Sequence, residues 1–336
     1  MIYNPDRRAA LAGLGGLGGL AGTLAATTWL PSFAGAGEDN AKLQSPLICT
    51  QAYPWMTFDR REGIDFVAHG QRLMAAIKTA GIAGYEPIVE SEEDAQHLKQ
   101  RLKTFGLQMP SIYVNSKLHD SGTSTQSMTR VLGIAKALKP LNAGIIVTNP
   151  EPIRWGGDED KTDAQLRHQA ECLNRLGESL RQNGQTLAYH NHDAELRQGG
   201  REFHHMLAGT NPENVKWCLD AHWIYRGCGN SQVAVEDCVK TYASRIVELH
   251  LRQSDAGVWR EDFRVRGDLD YGKLLGGLIE FAAQHKTAWG ASKLPLLVLE
   301  QSVEDKSPRQ FNATTAHQRG RENLEAWLNA ADVSES

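Results

Sequence analysis

Four apolar segments in the second half of the chain end on residues that can bind a metal ion or move a proton. The first closes on His190 and His192, and the next three close on Asp220, His250 and Glu300. Imidazole and carboxylate groups in this mixture suit Mn, Co, Zn or Fe better than Ca. The pattern therefore predicts one divalent metal ion (Mn, Co, Zn, Fe or Mg) with the ligands His190, Asp220, His250 and Glu300.

Side chains two residues apart on a strand point to the same face of a sheet. His192 should therefore share the face of His190, and Arg252 that of His250. His192 is the first candidate catalytic residue, because the ordinary pKa of an imidazole lies near neutral pH. Glu300 is the second, as a ligand that also orients the substrate, and Arg252 could bind a substrate oxygen.

The elements that must position these residues alternate between short apolar runs and longer amphipathic ones. Eight strands are predicted, at 47–53, 82–86, 108–114, 144–149, 186–192, 215–220, 246–251 and 294–300. Helical patterns lie at 62–79, 91–105, 124–138, 162–183, 200–209, 231–243, 271–287 and 316–330. Strand–helix alternation with apolar, β-branched strands indicates a parallel sheet covered by helices.

Eight such units fit a closed (β/α)8 TIM barrel, a fold that typically takes about 250 residues. The rival, an open doubly wound sheet, usually carries a glycine-rich phosphate turn after its first strand. Here Gln51-Ala52-Tyr53-Pro54-Trp55 follows the first strand without a glycine. We expect one TIM-barrel domain over 47–330, with its site at the carboxyl ends of the strands and a tail at 331–336.

The composition excludes several classes of protein. The chain has 336 residues, 41% hydrophobic and 23% charged, which is not typical of a disordered, collagen-like or multi-span membrane chain. With 36 Lys and Arg against 40 Asp and Glu, no basic excess neutralises phosphates, so we expect no nucleic-acid partner. Five cysteines make no disulfide framework at this length, although Cys228 and Cys238 could pair in an oxidising compartment.

The first 36 residues differ from the rest. Arg7 and Arg8 precede an uncharged stretch rich in Ala, Gly and Leu, and 34–36 have the small-x-small form of a signal peptidase site. The segment resembles a twin-arginine export signal. It predicts a periplasmic protein cut near Ala36, with a polar lead-in at 37–46 and no stable membrane insertion after cleavage. A retained anchor is the alternative, since the apolar run could span a bilayer.

Several motifs resemble those of the xylose isomerase-like TIM barrels, the sugar phosphate isomerase/epimerase group. They are Tyr189-His190-Asn191-His192-Asp193, Cys218-Leu219-Asp220, Glu248-Leu249-His250-Leu251-Arg252, Ile82-Ala83-Gly84-Tyr85-Glu86 and Gly267-Asp268-Leu269-Asp270-Tyr271. The resemblance covers about 46–330 and implies one divalent metal held by a Glu, an Asp, a His and a Glu after strands five to eight. Asp220, His250 and Glu300 match by type, whereas His190 stands where many of these epimerases have Glu.

Further residues after other strands are predicted to contact a substrate. Glu86 ends the second strand and would face sugar hydroxyls, and Glu151 follows the fourth strand. Trp55 lies after the first strand and could stack on a sugar ring, as could Tyr113 and Trp155. Each position also has an ordinary structural role: a carboxylate at a helix start, a turn residue, or an aromatic side chain packed in a loop.

The resemblance implies an exported, metal-dependent carbohydrate isomerase or epimerase that transfers a proton alpha to a carbonyl through an enediolate. Because His190 leaves the site one carboxylate short of a symmetric two-glutamate epimerisation, a lyase or dehydratase acting on keto-sugars or keto-glycosides is the first alternative. The second is a sugar-binding protein without catalysis, and a DNA-repair endonuclease fits the charge poorly. A periplasmic location favours a free sugar or glycoside as partner, and an oligomer stays open.

Overall fold

Eight parallel strands form the centre of the protein. The computed structural model describes residues 46–66 and 70–334, so the predicted export signal and nearly all of the lead-in lie outside the described residues. The barrel strands are β1 Ile48–Gln51, β2 Gly84–Glu86, β3 Ser111–Tyr113, β4 Ile145–Thr148, β5 Thr186–His190, β6 Val215–Asp220, β7 Ile246–Leu251 and β10 Leu296–Leu299. Between β7 and β10, Ser254–Asp255 (β8) and Val258–Trp259 (β9) form an antiparallel hairpin.

The strands close into a ring. Their order is β2-β1-β10-β7-β6-β5-β4-β3, and parallel bridges from Gly84 to Gln108 and from Ile88 to Tyr113 join the two ends. Parallel strands need crossover connections, which helices supply here. The predicted (β/α)8 barrel, in a single domain, is confirmed.

Ten helices are described around this ring. They are α1 Ala52–Glu62, α2 Gly70–Thr79, α3 Glu92–Phe105, α4 Ser124–Leu138, α5 Asp163–Gln182, α6 Arg197–Ala208, α7 Ala221–Gly227, α8 Gln232–Tyr242, α9 Tyr271–Gln284 and α10 Ala313–Ser334. Reciprocal capping boxes start α3 at Ser91 and α5 at Thr162. Within 46–66 and 70–334, none of the helices combines the length and apolar character needed to cross a membrane.

Several elements differ from the sequence prediction. The first strand ends at Gln51 rather than at 53, and the Gln51 side chain accepts the Tyr53 N–H and caps α1, a helix that lies before the predicted one at 62–79. Pro54 is tolerated in that first turn because its missing N–H would have no helical partner. Helix α7 and the β8–β9 hairpin were not predicted, because each is too short to show a periodic pattern. Helix α10 runs on to Ser334, four residues into the predicted tail.

The buried apolar residues form three clusters. The largest lies between strands and helices, a small one inside the barrel contains Tyr113, Val147, Ala188 and Cys218, and a third contains Phe58, Val303 and Ala316. Two residues beyond Ala188 and Cys218, on the same inner face, are His190 and Asp220. The barrel interior therefore changes from apolar to polar towards the carboxyl ends of the strands.

All five cysteines lie in the described part of the chain, and all are free thiols. Cys228 and Cys238 are therefore not joined by a disulfide in this structure.

Gly177 in α5 tests the packing of helices on the barrel. A methyl group there would overlap the backbone carbonyl oxygen of Asn214, so Gly177→Ala should lower the free energy of unfolding by about 1–3 kcal/mol, the usual cost of overpacking. Gly277 in α9 has open space around it, so Gly277→Ala should instead raise it by about 1 kcal/mol. Urea denaturation of both variants measures the difference, and equal stabilisation by both would contradict the close α5 contact.

Candidate active site and metal cluster

The carboxyl ends of the strands open into a cavity of about 490 Å³. Its lining includes five residues predicted from the sequence: Tyr113, Trp155, His192, Arg252 and Glu300. The other lining residues are Gln51, Tyr53, Thr57, Ile88, Asn115, Asp193, Trp223, Ser302, Val303 and Glu304. Catalytic sites of TIM barrels form at this end of the barrel, so the cavity is the candidate active site.

Three of the four predicted metal ligands come together at this cavity. His190, Asp220 and Glu300 each offer a ligand atom, and these atoms lie within 4.8 Å of one another. Both ring nitrogens of His190 and Oδ2 of Asp220 are buried without a hydrogen-bond partner. Buried polar atoms are normally paired, so this donor set fits a divalent cation.

Asp220 caps a helix with one carboxylate oxygen and offers the other oxygen to the site. Its Oδ1 accepts the Trp223 N–H at 2.9 Å and caps α7, while its Oδ2 lies 3.7 Å from Nη1 of Arg252. Burial raises the pKa of Asp220 to about 7, against the lowering effect of Arg252. One oxygen thus begins a helix and the other is left for the site.

Two asparagines set the positions of these groups, and sequence reasoning did not assign them a role. Asn191 donates to the Asp220 carbonyl oxygen at 3.0 Å, and its Oδ1 accepts Trp217 Nε1 at 2.9 Å. Asn149 donates to the His190 carbonyl oxygen at 3.0 Å. These hydrogen bonds join the end of β4 to the end of β5 and the end of β5 to the end of β6. The sequence placed both asparagines within the ends of predicted strands, at 144–149 and 186–192, whereas the structure places them directly after β4 and β5.

His250 lies beside the three-residue cluster rather than within it. Its Nδ1 is 3.1 Å from Oε2 of Glu300, and its Nε2 is 3.1 Å from Oε1 of Glu86 and 3.3 Å from Oε1 of Glu248. Burial alone would lower its pKa, but Cys218 and the carboxylates raise it well above the ordinary value. In turn, His250 overcomes burial and lowers the pKa of Glu300 to about 2.

Glu86 and Glu248 form a buried acid pair under the site. Ser111 Oγ lies 2.8 Å from Glu86 Oε2 and 3.2 Å from Glu248 Oε1. Burial and then the Glu86 charge raise the pKa of Glu248 well above its usual range, whereas His250 outweighs burial and lowers that of Glu86. Glu86 therefore holds His250 instead of facing substrate hydroxyls as predicted. Glu248 was missed, although it shares the inner face of His250 two residues away.

Two other predicted substrate contacts lie elsewhere. Trp55 is buried in the core, where Nε1 donates to Thr50 Oγ1 at 3.0 Å and the ring stacks on His317 at 4.0 Å. Tyr53, two residues before Trp55, lines the cavity instead, because the unpredicted helix α1 begins at Ala52 and turns Trp55 inward. Glu151 donates its N–H to the Ser116 carbonyl oxygen at 2.8 Å and is not among the residues that line the cavity.

His192 is held by its backbone and by aromatic rings. Its N–H donates to Oε2 of Glu195 at 2.7 Å, and its ring centroid lies 5.1 Å from Trp155 and 5.9 Å from Trp223. Burial lowers the pKa of His192 to about 4, so the ring is uncharged at neutral pH. Its Nδ1 is buried and has no hydrogen-bond partner. The lowered pKa makes His192 a weaker base than the ordinary imidazole expected from the sequence.

Arg252 contacts two neighbouring indole rings. Its guanidinium carbon lies 4.6 Å from the ring centroids of both Trp223 and Trp259, and Arg226 covers Trp259 at 3.9 Å. Cation–π contacts of this kind hold a charge in place without neutralising it. Helix α7 and the hairpin, which supply these rings, therefore aim Arg252 into the cavity.

The profile of the family described as xylose isomerase-like TIM barrel matches residues 74–284, more than half of the chain. The chain belongs to this family. In sequence it is 27% identical over 194 residues to an inosose dehydratase of Mesomycoplasma hyopneumoniae. That match covers 54% of this chain and 61% of the relative, so the chain spans less than two thirds of the relative's length.

Solved structures share the fold at low identity. A sugar phosphate isomerase/epimerase from Parabacteroides distasonis superposes with a TM-score of 0.63 and 15% identity, over 88% of this chain and 98% of that one. A D-allulose 3-epimerase from Methylomonas sp., in complex with D-allulose, gives 0.60 and 12%, over 84% and 98%. Both are similar to this chain in barrel architecture.

Removing the negative charge of the Asp220 carboxylate should weaken metal binding. In Asp220→Asn, Oδ1 can still cap α7, so the fold should be kept while affinity for Mn²⁺ or Zn²⁺ falls by more than about tenfold, because a charged ligand is lost. His190→Ala should have a similar effect. Titration calorimetry and elemental analysis measure this, with Glu304→Gln as the control carboxylate, since Glu304 lines the cavity outside the cluster. Full metal occupancy in both ligand variants would refute the assignment.

Proposed function

We propose that this protein is a metal-dependent carbohydrate enzyme that removes a proton from a carbon next to a carbonyl group. The observation that carries the proposal is an uncharged, unpartnered His192 in the same cavity as a metal-fitting set of His190, Asp220 and Glu300. Proton removal needs a base within reach of carbon and positive charge near the oxygen that becomes negative. The cavity offers both.

The residues divide this work among them. His192 takes the proton, and Arg252, held by its two indoles, binds a substrate oxygen. Glu300 is tied to His250 and serves as a ligand that orients the substrate, with His190 and Asp220 as the other ligands. A divalent cation bound there would supply the charge that stabilises the substrate oxyanion.

Elimination is the outcome that the site favours. Epimerisation needs a proton-transfer group on each face of the sugar, and β5 supplies His190 where many epimerases of the family carry a carboxylate. The likeness to inosose dehydratase over 194 residues supports a lyase or dehydratase. In this reaction His192 accepts the proton alpha to the ketone, a carbon–carbon double bond forms, and the β-substituent leaves with its bonding electrons. The proton on His192 then passes to the leaving group, which restores the neutral imidazole.

Isomerisation or epimerisation is the second candidate. It is supported by Glu300, because this carboxylate lines the same cavity as His192 and could return a proton to the substrate. A nitrophenyl glycoside whose sugar carries a ketone two carbons from the anomeric carbon separates the two reactions. The proton on the carbon between them is then alpha to the ketone, and the nitrophenyl group is the β-substituent. Elimination releases nitrophenol, whereas epimerisation releases none and exchanges one carbon-bound proton with D₂O.

Replacing His192 should stop proton transfer without removing the metal. We expect His192→Asn to keep its metal content and to lose turnover by about 10²-fold or more, the usual effect of deleting a general base. Glu300→Gln should reduce metal affinity and turnover together. His204→Asn, an exposed histidine on α6, is the control. Proton exchange at the parent rate in His192→Asn would assign the base to Glu300 or another group.

We also propose that the chain is exported to the periplasm through a twin-arginine-type signal. The support is the pair Arg7 and Arg8 before an uncharged stretch that ends in small residues at 34–36. N-terminal sequencing of the periplasmic protein should begin within a few residues of Gly37. An Arg7→Lys, Arg8→Lys double variant should accumulate as an uncut precursor. A cytoplasmic parent protein with an intact Met1 would contradict export.

A further inference from the structure

Two large aromatic side chains at the mouth of the cavity are exposed to solvent. Trp155 is 53% exposed and Tyr53 is 38% exposed, and both line the cavity. They come from different elements, the loop after β4 and the first turn of α1. Exposed aromatic rings that converge on one concave surface are more typical of a binding site than of a chance surface position.

The cavity changes in character from its floor to its mouth. At the floor, Arg252, Glu300 and Ser302 are at most 6% exposed and offer charged and hydroxyl groups to a polyhydroxylated ring. At the mouth, Trp155 and Tyr53 offer flat apolar faces. A ligand that satisfies both regions is polar at one end and has a flat ring face at the other.

The two regions are continuous. The Trp155 ring meets the His192 ring edge to face, with centroids 5.1 Å apart, so a ring stacked on Trp155 would lie next to the group that moves the proton. The cavity of about 490 Å³ is within the range of roughly 300–1,000 Å³ that encloses multi-ring ligands. It therefore has room for a second ring beside the reacting one.

We propose that Trp155 and Tyr53 form a second-ring subsite, so that the preferred substrate is a glycoside whose leaving group is itself a ring. This rests on the proposed function, in which the β-substituent departs next to His192. The shared chemistry of the occupant is a flat, weakly polar ring face, either an aromatic aglycone or the C–H face of a second sugar. A stacked ring also keeps the leaving group aligned as its bond to the reacting sugar breaks.

Binding of three probes to the metal-loaded protein tests the subsite: methyl glucoside, nitrophenyl glucoside and cellobiose. The parent protein should bind one or both two-ring probes about tenfold more tightly than methyl glucoside, as expected for a well-formed stacking contact. In Trp155→Ala the ratio of two-ring to one-ring affinity should fall towards one, and Trp155→Phe should restore most of it. Titration calorimetry gives all three affinities.

Ile153→Ala is the matched control, because Ile153 is 39% exposed in the same loop and is not among the cavity-lining residues. If only nitrophenyl glucoside binds more tightly than methyl glucoside, and does so through Trp155, the subsite takes aromatic aglycones. If only cellobiose shows this higher affinity, the subsite takes a second sugar. Equal affinity for all three probes in the parent, or ratios unchanged in Trp155→Ala, overturns the proposal.

The test of the second-ring subsite can be distinguished from the test of the proposed reaction. Trp155-dependent binding without any proton exchange in D₂O would keep the subsite and reject the enzyme. Exchange on a methyl keto-glycoside without a two-ring preference would keep the enzyme and reject the subsite.

Discussion

Charge buried inside a closed barrel has to be neutralised where it lies, and in this protein the imidazole of His250 does so. It lies 3.1–3.3 Å from carboxylate oxygens of Glu300, Glu86 and Glu248. An unpaired ion in such an interior costs several kcal/mol. Because β2 and β7 are separated in the ring by β1 and β10, the contact of Glu86 with His250 crosses the barrel and joins its two sides directly below the site.

The polar interior therefore has two groups of side chains with opposite properties. In the first group, Ser111 lies within hydrogen-bond distance of Glu86 and Glu248, and both carboxylates lie beside His250. In the second group, the ring of His190 and Oδ2 of Asp220 are buried without hydrogen-bond partners. Since unsatisfied buried polar atoms are expensive, the second group is the one that gains most from a cation, and Glu300 connects it to the first group through His250.

Elements outside the regular strand–helix repeat shape the mouth of the cavity. Helix α1 brings Tyr53 to the cavity wall, helix α7 brings Trp223, and the β8–β9 hairpin brings Trp259 against Arg252. Active-site loops of TIM barrels vary in this way while the barrel stays the same. Likeness in the barrel to epimerases of known structure therefore says little about what binds at the mouth of this cavity.

The sequence by itself determined the barrel and the face on which its chemistry lies. Strand periodicity is local, so apolar runs ending in His190, Asp220 and Glu300 were enough to predict that these side chains meet at one end of a parallel sheet. The family motifs then predicted that the substrate is a carbohydrate.

Only the tertiary structure decided which partners each side chain has. His250 and Glu86 are equally visible in the sequence as candidate site residues, yet they bind one another across the barrel. Trp55 and Tyr53 are two residues apart, and helix α1, which the sequence did not predict, places Trp55 in the core and Tyr53 at the cavity. The reason is physical: a strand pattern specifies the face of a residue, whereas pairing between buried charges depends on distances across the closed ring, which no local pattern contains.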